Sequence, residues 1–372
     1  MGPTDNGGAS LTDHLTATIR DSGPISVAQY MCEALVNQSH GYYTTRDPFG
    51  LEGDFITAPE VSQMFGELIG LWCADLWLQM DRPAIVNLVE IGPGRGTLMA
   101  DAWRASQAQL GFHEAVHLHL VDVSPTLRAL QERALVDTRP GSGPHWHHEF
   151  PEVPDGPILL IANELLDALP IHQYQRMTTG WHERLVDITP GSDTFRLVLS
   201  PEPAESPYAI PDTFAGTPIG AVVELCPAAE ALVSHITERC VARGGAALFV
   251  DYGYTESGPH ETLQGVRRHA GHPVFEQPGT ADLCAHVNFA RLCAVAGAAG
   301  GTVWGPIGQG DLLRALGIHA RAARLKQGAS SQQTIDIDAA VERLAGSAKM
   351  GALFKAIAVT NQHLKPAGFP AR

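Results

Sequence analysis

The stretch Ala84–Leu98, AIVNLVEIGPGRGTL, constrains the fold more than any other part of the chain. A nearly unbroken apolar run ends in an acid, Glu90, and glycines then alternate at Gly92, Gly94 and Gly96, with Pro93 between the first two. An apolar run bounded by glycine turns reads as a strand buried on both faces, the environment of a parallel sheet. Glycine lets backbone turn sharply and approach a ligand closely. The segment that follows, LMADAWRASQAQL, has helical spacing. The loop therefore feeds a helix N-terminus and makes a strand–glycine loop–helix cradle for a nucleotide or cofactor.

The spacing narrows the ligand. The dinucleotide pattern G-x-G-x-x-G would need glycine at position 97, where the chain has Thr97. That disfavours an NAD-dependent oxidoreductase. No Gly-Lys-Ser/Thr follows, which excludes a P-loop. The pattern is instead E-x-G-x-G-x-G, the form used to bind S-adenosylmethionine (SAM). A second strand, HLHLVDVSP, ends in Asp122, 26 residues after Gly96. An acid about 20 residues beyond the loop grips ribose hydroxyls, and two ionised oxygens can accept from both. Asp122 could also cap the helix TLRALQERAL, as could Ser124.

Two further buried strands end in polar groups: ILLIA runs into Asn163, Glu164 and Asp167, and AALFVDYGY carries Asp251. In an open parallel sheet the ligand crevice lies at the carboxyl ends of the strands. Four strand ends with acids, Glu90, Asp122, Asn163-Glu164 and Asp251, predict one acidic cleft. The competing reading of Asn163 and Glu164 is a capped turn. HWHHEF is a short third strand whose alternation puts His145 and His147 on one face, and no partner cluster supports a metal.

A formal net charge of −15 argues against a broad nucleic-acid surface and suits docking of basic peptides or proteins. The six cysteines include no C-x-x-C pair and read as reduced core thiols. The acidic N-terminus is neither a signal nor a transit peptide, and no apolar run approaches the ~20 residues needed to span a bilayer. The chain is expected to be soluble and cytoplasmic.

The remaining pattern predicts an α/β fold with additions. Residues 1–82 read as a helical N-terminal region, with a lid-like loop over 39–60 and one amphipathic helix entered through Pro59. Residues 83–170 form the first half of the cofactor core, 171–222 a β-rich insertion and 223–372 the second half. Within the last part, 260–288 read as loop, LLRALGIHARAARL as one helix and QGASSQQTIDIDAA as a loop before a helix at Ala339–Ala345. ALFKAIAVT closes the sheet, and the tail beyond it is expected to be unstructured.

Longer motifs carry a family resemblance. GYYTTRDPFGLEGDFITAPEVSQMFGELIG, VEIGPGRGTLMAD, LVDVSPTLRALQ, NELLDALPIHQY, VDYGY, ADLCAHVNF, QGDLLRALGI and MGALFKAIAV together resemble the MidA family of SAM-dependent methyltransferases. The mitochondrial members of that family are complex I assembly factors and arginine methyltransferases. The chain departs from the family pattern at Asp122 (commonly Glu), Cys284 (Thr), Asn288 (Asp) and Tyr254 (His). The resemblance implies a class I, Rossmann-like methyltransferase with a mostly parallel sheet and helices on both faces. It implies SAM held by Glu90, Gly92, Pro93, Gly94, Gly96, Thr97, Asp122, Val123 and Asn163. Carboxylates that orient a guanidinium and receive its charge suit arginine methylation. That assigns catalysis to Glu164, with Asp167 or Glu60 as a second acid and Asn163 as an orienting amide. The implied partner is a protein with an arginine-containing basic segment, such as a respiratory complex I subunit, and an oligomer is compatible. A different class of reading is an assembly chaperone that keeps SAM as a structural ligand without turnover.

Overall fold

The computed structural model describes residues 10–48, 50, 53–136, 143–204, 210, 214 and 216–371. The chain divides into two compact units. One comprises residues 1–48, 168–228 and 258–285, and the other 49–167, 229–257 and 286–372. The expected N-terminal region is thus shared between the units at Pro48, and the β-rich insertion has company from both sides in sequence.

The larger unit is built on an eight-stranded sheet. Its strands run in the order Thr302–Gly308, Phe354–Thr360, Gly245–Tyr254, Ile158–Asn163, Val86–Ile91, Val116–Val121 and His145–His147, and Val287–Asn288 adds to the end of Gly245–Tyr254. The five strands from Gly245–Tyr254 to His145–His147 are parallel to their neighbours, and Phe354–Thr360 joins antiparallel. Every residue of Val86–Ile91 and Ile158–Asn163 is buried, as continuous apolar runs covered on both faces require. Register places Glu90 beside Ile161 and Leu120, and Asn163 beside Val250, so the polar strand ends share one edge of the sheet. This is a class I methyltransferase fold.

The helix Gln63–Gln79 packs closely on the helix Thr97–Ser106. Two glycines permit the approach: a Cβ at Gly70 would lie 2.3 Å from the Ala102 carbonyl oxygen, and one at Gly66 2.7 Å from that of Leu98. The helix is not entered directly through Pro59. A separate turn, Ala58–Val61, stops at the extended residue Ser62, whose hydroxyl accepts from the Met64 N–H and starts the long helix.

Three other expectations for this unit are corrected. LLRALGIHARAARL makes two helices, Gln309–Ala315 and Ile318–Lys326, because Gly317 turns left-handed at φ 95°. The polar stretch before Ala339 is already helical from Ser331, since Ser330 and Gln333 form a reciprocal capping box. The tail is packed: Leu364 is 2% exposed, and the Trp72 indole donates to the Ala367 carbonyl at 3.1 Å.

The smaller unit holds the helices Leu11–Ser22 and Val27–Val36 and an antiparallel sheet ordered Ile25–Ser26, Gly180–Ile188, His172–Met177, Val222–Leu225, with Phe195–Leu199 also on Gly180–Ile188. The expected loop 260–288 contains a second sheet, ordered Ala270–His272, Gln264–Arg267, Asp282–Cys284. Its strands are short, and Gln264–Arg267 and Ala270–His272 are partly exposed, so no apolar run announces them, while Asp282–Cys284 is buried but only three residues long. Buried Glu224 ties the strand Val222–Leu225 to the start of that segment, accepting from the N–H groups of Thr262 and Leu263 at 2.9 and 3.2 Å. In the expected lid, Tyr42–Thr45 is a helical turn with Tyr42 fully buried; residues 49, 51 and 52 lie outside the described ones. Among the described residues no helix is long and apolar enough to cross a membrane.

Candidate active site

The glycine loop has the conformation its composition predicts. Gly92, Gly94 and Gly96 all have left-handed φ, at 67°, 54° and 83°. At Gly92 a Cβ would also meet the Leu165 side chain at 2.9 Å, and at Gly96 the Gln131 Cα at 3.2 Å. All three positions are therefore disfavoured for side chains by dihedral, and Gly92 and Gly96 by space as well. Pro93 shapes it by accepting from the Gly96 N–H at 2.8 Å. Thr97 opens the helix behind it, and its hydroxyl is already engaged, donating to Glu60 Oε1 at 2.5 Å.

Glu90, one residue before the end of the preceding strand, is 2% exposed, and its Oε2 has no hydrogen-bond partner among the described residues. Burial, reinforced by the negative Asp122, pushes its carboxyl up to about 8. An orphaned, buried carboxylate oxygen beside a glycine cradle calls for a donor from outside the protein, and ribose hydroxyls are such donors. Asp122 stands at the next strand end. Its Oδ1 accepts from the Ser124 N–H at 2.8 Å and its Oδ2 from Gln131 Nε2 at 2.6 Å, leaving acceptor capacity on both oxygens. Burial raises its carboxyl as well, against the pull of those donors. The helix after it is capped by the Ser124 hydroxyl, so Asp122 is free of that task. Val123, beside it, is 47% exposed, an apolar surface at the loop that follows the strand.

Gln131 was not anticipated. It is fully buried, donates from Nε2 to both Asp122 and the Gly94 carbonyl (2.9 Å), and accepts from the Trp146 indole at 2.9 Å. It joins the glycine loop to the ribose-side acid. Only its close packing beneath Gly96 reveals it, and no local pattern marks position 131.

The second cluster lies at the ends of Ile158–Asn163 and Gly245–Tyr254. Glu164 adopts φ 51°, a left-handed conformation uncommon for a residue with a side chain. Its N–H is held by the Val250 carbonyl at 2.8 Å, and its Oε1 accepts from the Ala58 N–H at 2.7 Å and Asn163 Nδ2 at 3.2 Å. Burial, with Asp167 adding repulsion, raises the Glu164 carboxyl to about 7, although the Ala58 and Asn163 donors oppose the shift. Asn163 keeps an unpartnered buried Oδ1. Neither residue caps the turn Leu166–Ala168. Asp251, fully buried, does so by accepting from the N–H groups of Leu166 and Asp167 at 2.8 and 3.2 Å. Burial raises Asp251 well above the usual range, followed by repulsion from Asp167 and Glu164. Asp251 is thus part of the cluster, although its strand runs on to Tyr254 rather than ending at the acid, and it works by holding the Asp167 backbone.

Glu60 is engaged at the glycine loop. One oxygen takes the Thr97 hydroxyl and the other lies 3.6 Å from Arg95 Nη1. The structure therefore brings Glu164, Asp167 and Asn163 together with Asp251, and brings Glu60 and Thr97 together at the loop. Among the described residues no group of three or more His, Cys, Asp or Glu converges on a metal. His147 Nε2 instead lies 2.9 Å from His119 Nδ1 along the sheet edge.

Similarity to known proteins agrees with this geometry. A family model of S-adenosyl-L-methionine-dependent methyltransferases matches residues 68–307. The protein arginine methyltransferase NDUFAF7, mitochondrial, of Danio rerio is 37% identical over 95% of this chain and 87% of its own length. The Homo sapiens protein of the same name is 37% identical over 86% of this chain and 76% of its own. A Burkholderia thailandensis protein crystallised with S-adenosyl-homocysteine superposes with a TM-score of 0.85 at 30% identity, covering 96% of this chain and 93% of that one. SAM is the cofactor that the glycine cradle, the unpartnered Glu90 oxygen and Asp122 fit. The chain belongs to the family of SAM-dependent methyltransferases.

Proposed function

We propose that this enzyme methylates an arginine side chain of a protein partner, and that the partner is a subunit or assembly intermediate of a respiratory complex. The observation that carries the acceptor assignment is the Glu164 carboxylate. It stands at a strand end in the same acidic cluster as Asp167, with one oxygen fixed by Ala58 and Asn163. A protonated guanidinium is a weak nucleophile that stays charged at neutral pH. It needs a carboxylate partner that orients it and spreads its charge.

Bound SAM supplies an electrophilic methyl group on a sulfonium. The chain's own contribution is positional. Glu90 and Asp122 accept from the cofactor's hydroxyls, and the glycine loop fixes the donor's direction. Glu164 holds the guanidinium, with Asn163 Oδ1 as a second acceptor. As the new N–C bond forms, the sulfonium S–C bond breaks and its electron pair stays on sulfur, leaving S-adenosylhomocysteine. The attacking nitrogen gives up one N–H proton, for which ionised Glu164 is the acceptor. The relatives named as arginine methyltransferases and the net charge of −15, which draws basic segments, support the same reading.

The test is labelled methyl transfer from SAM to partners co-purified with the protein, read by mass spectrometry. Dimethyl- or monomethylarginine on one partner is the expected product. Retained cofactor with no labelled methyl on any partner would instead favour the assembly-chaperone reading.

A further inference from the structure

The helical turn Ala58–Val61 makes two polar contacts that reach two different parts of the site. Through Glu60 it meets the cofactor loop: Oε1 accepts from Thr97 Oγ1 at 2.5 Å and Oε2 lies 3.6 Å from Arg95 Nη1. Through the Ala58 N–H it meets Glu164 Oε1 at 2.7 Å. Thr97 is the residue directly after Gly96, and Glu164 is the residue directly after the strand that ends in Asn163. Between the two contacts stands Pro59, whose ring fixes φ. Ala58 and Pro59 are both buried. A buried single turn stiffened by proline passes a displacement on and does not absorb it.

We infer that the turn Ala58–Val61 is a strut that links occupation of the cofactor loop to the alignment of Glu164, with Glu60 and Thr97 acting as positioning residues. This rests on the reading of Glu164 as the acceptor-side carboxylate. Glu60 is engaged on both oxygens, by Thr97 and by Arg95, which directs it toward the cofactor loop. Glu164 Oε1, which takes two N–H donors, is likewise committed, and Oε2 is the oxygen left for the acceptor. When the Thr97 bond is cut, the turn is free to shift and the Ala58 N–H bond to Glu164 weakens. Glu164 then loses a donor that favours its charged form.

The strut is tested on the full chain with Thr97→Val, which removes the hydroxyl at constant shape, Glu60→Leu, and Glu60→Gln, whose amide oxygen can still accept from Thr97. Backbone amide exchange across the segment containing Ala58 is measured with and without S-adenosylhomocysteine. Ligand-induced protection is expected in the wild type and in Glu60→Gln, and is expected to be lost in Thr97→Val and Glu60→Leu. Each variant is measured at saturating S-adenosylhomocysteine, Thr97→Val included. The kcat of Thr97→Val toward an arginine acceptor should fall about tenfold, with the acid limb of the kcat–pH profile moved to higher pH. Equal protection in Thr97→Val and the wild type, or an unchanged kcat in Thr97→Val at saturating SAM, would overturn the strut. If the wild type transfers no methyl to arginine, the functional reading fails while the exchange measurement still decides the strut. If Thr97→Val does not fold, the contrast between Glu60→Gln and Glu60→Leu decides it.

Discussion

Gln131 donates to the Asp122 carboxylate at 2.6 Å and, from the same amide nitrogen, to the Gly94 carbonyl at 2.9 Å. The glycine loop and the acid expected to grip the cofactor's ribose are therefore held at a fixed separation by one buried side chain. Gln131→Leu keeps the volume and removes both donors. SAM affinity by calorimetry is expected to fall about tenfold, the equivalent of one lost hydrogen bond to a charged group. Far-ultraviolet circular dichroism should be unchanged, because the helix Pro125–Ala134 does not depend on that amide.

Glu90 links ligand binding to protons. Its carboxyl is pushed from 4.5 up to about 8 by burial first and by Asp122 second. The folded protein therefore keeps a proton that the unfolded chain releases in that window. The stability contributed by this protonation is full below about 4.5 and is lost as pH rises through about 8. Glu90→Gln has no such proton to lose. Without ligand, its thermal midpoint relative to wild type is expected to rise steadily from pH 5 to pH 8.5. SAM binding to the wild type near pH 7 should release protons, since ligand hydroxyls favour the ionised form. Calorimetry in buffers of different ionisation enthalpy measures that release, and Glu90→Gln should abolish its Glu90 component.

Glu164 should govern turnover without governing cofactor affinity. With its carboxyl raised to about 7, kcat is expected to climb through neutral pH as Glu164 ionises. Glu164→Gln preserves an oxygen for the Ala58 N–H but cannot hold the guanidinium charge or its proton. Transfer should fall by about 10² to 10⁴, and the acid limb of the pH profile should disappear. S-adenosylhomocysteine affinity within threefold of wild type is the accompanying expectation, and unchanged turnover would remove Glu164 from its role.

The parallel strands and the glycine loop were legible in the chain because burial on both faces imposes apolar runs, and three alternate left-handed positions impose glycine. The same logic brought Glu90, Asp122, Asn163 and Asp251 to one edge of the sheet. Relationships set by tertiary packing were not legible. Asp251 meets the turn Leu166–Ala168 only because Val250 pairs with Asn163 in register. Gln131 matters only because its helix crosses beneath Gly96. Polarity also misled: Ser330 and Gln333 resemble loop residues until they are seen to cap a helix whose Leu344 is buried. In the strands Gln264–Arg267 and Ala270–His272, exposure removed the apolar signal altogether.

The approach of the helices Gln63–Gln79 and Thr97–Ser106 gives a last prediction, because one substitution has opposite effects at two glycines. In a helix interior alanine is intrinsically better than glycine by about 1 kcal/mol. At Gly297, near the end of the helix Phe289–Ala298, an added Cβ meets nothing within 4 Å, and Gly297→Ala is expected to raise the thermal midpoint. At Gly70 the Cβ would lie 2.3 Å from the Ala102 oxygen and 2.5 Å from its Cα, and backbone cannot rotate aside. The helices must separate, and overpacking of this kind costs about 1–3 kcal/mol. Gly70→Ala should therefore lower the thermal midpoint by several degrees despite the propensity gain. The displaced helix begins at Thr97, behind the glycine loop, so SAM affinity should weaken in the same variant. A Gly70→Ala protein as stable as wild type would mean that the contact at Ala102 yields, and that the two helices do not set the position of the loop.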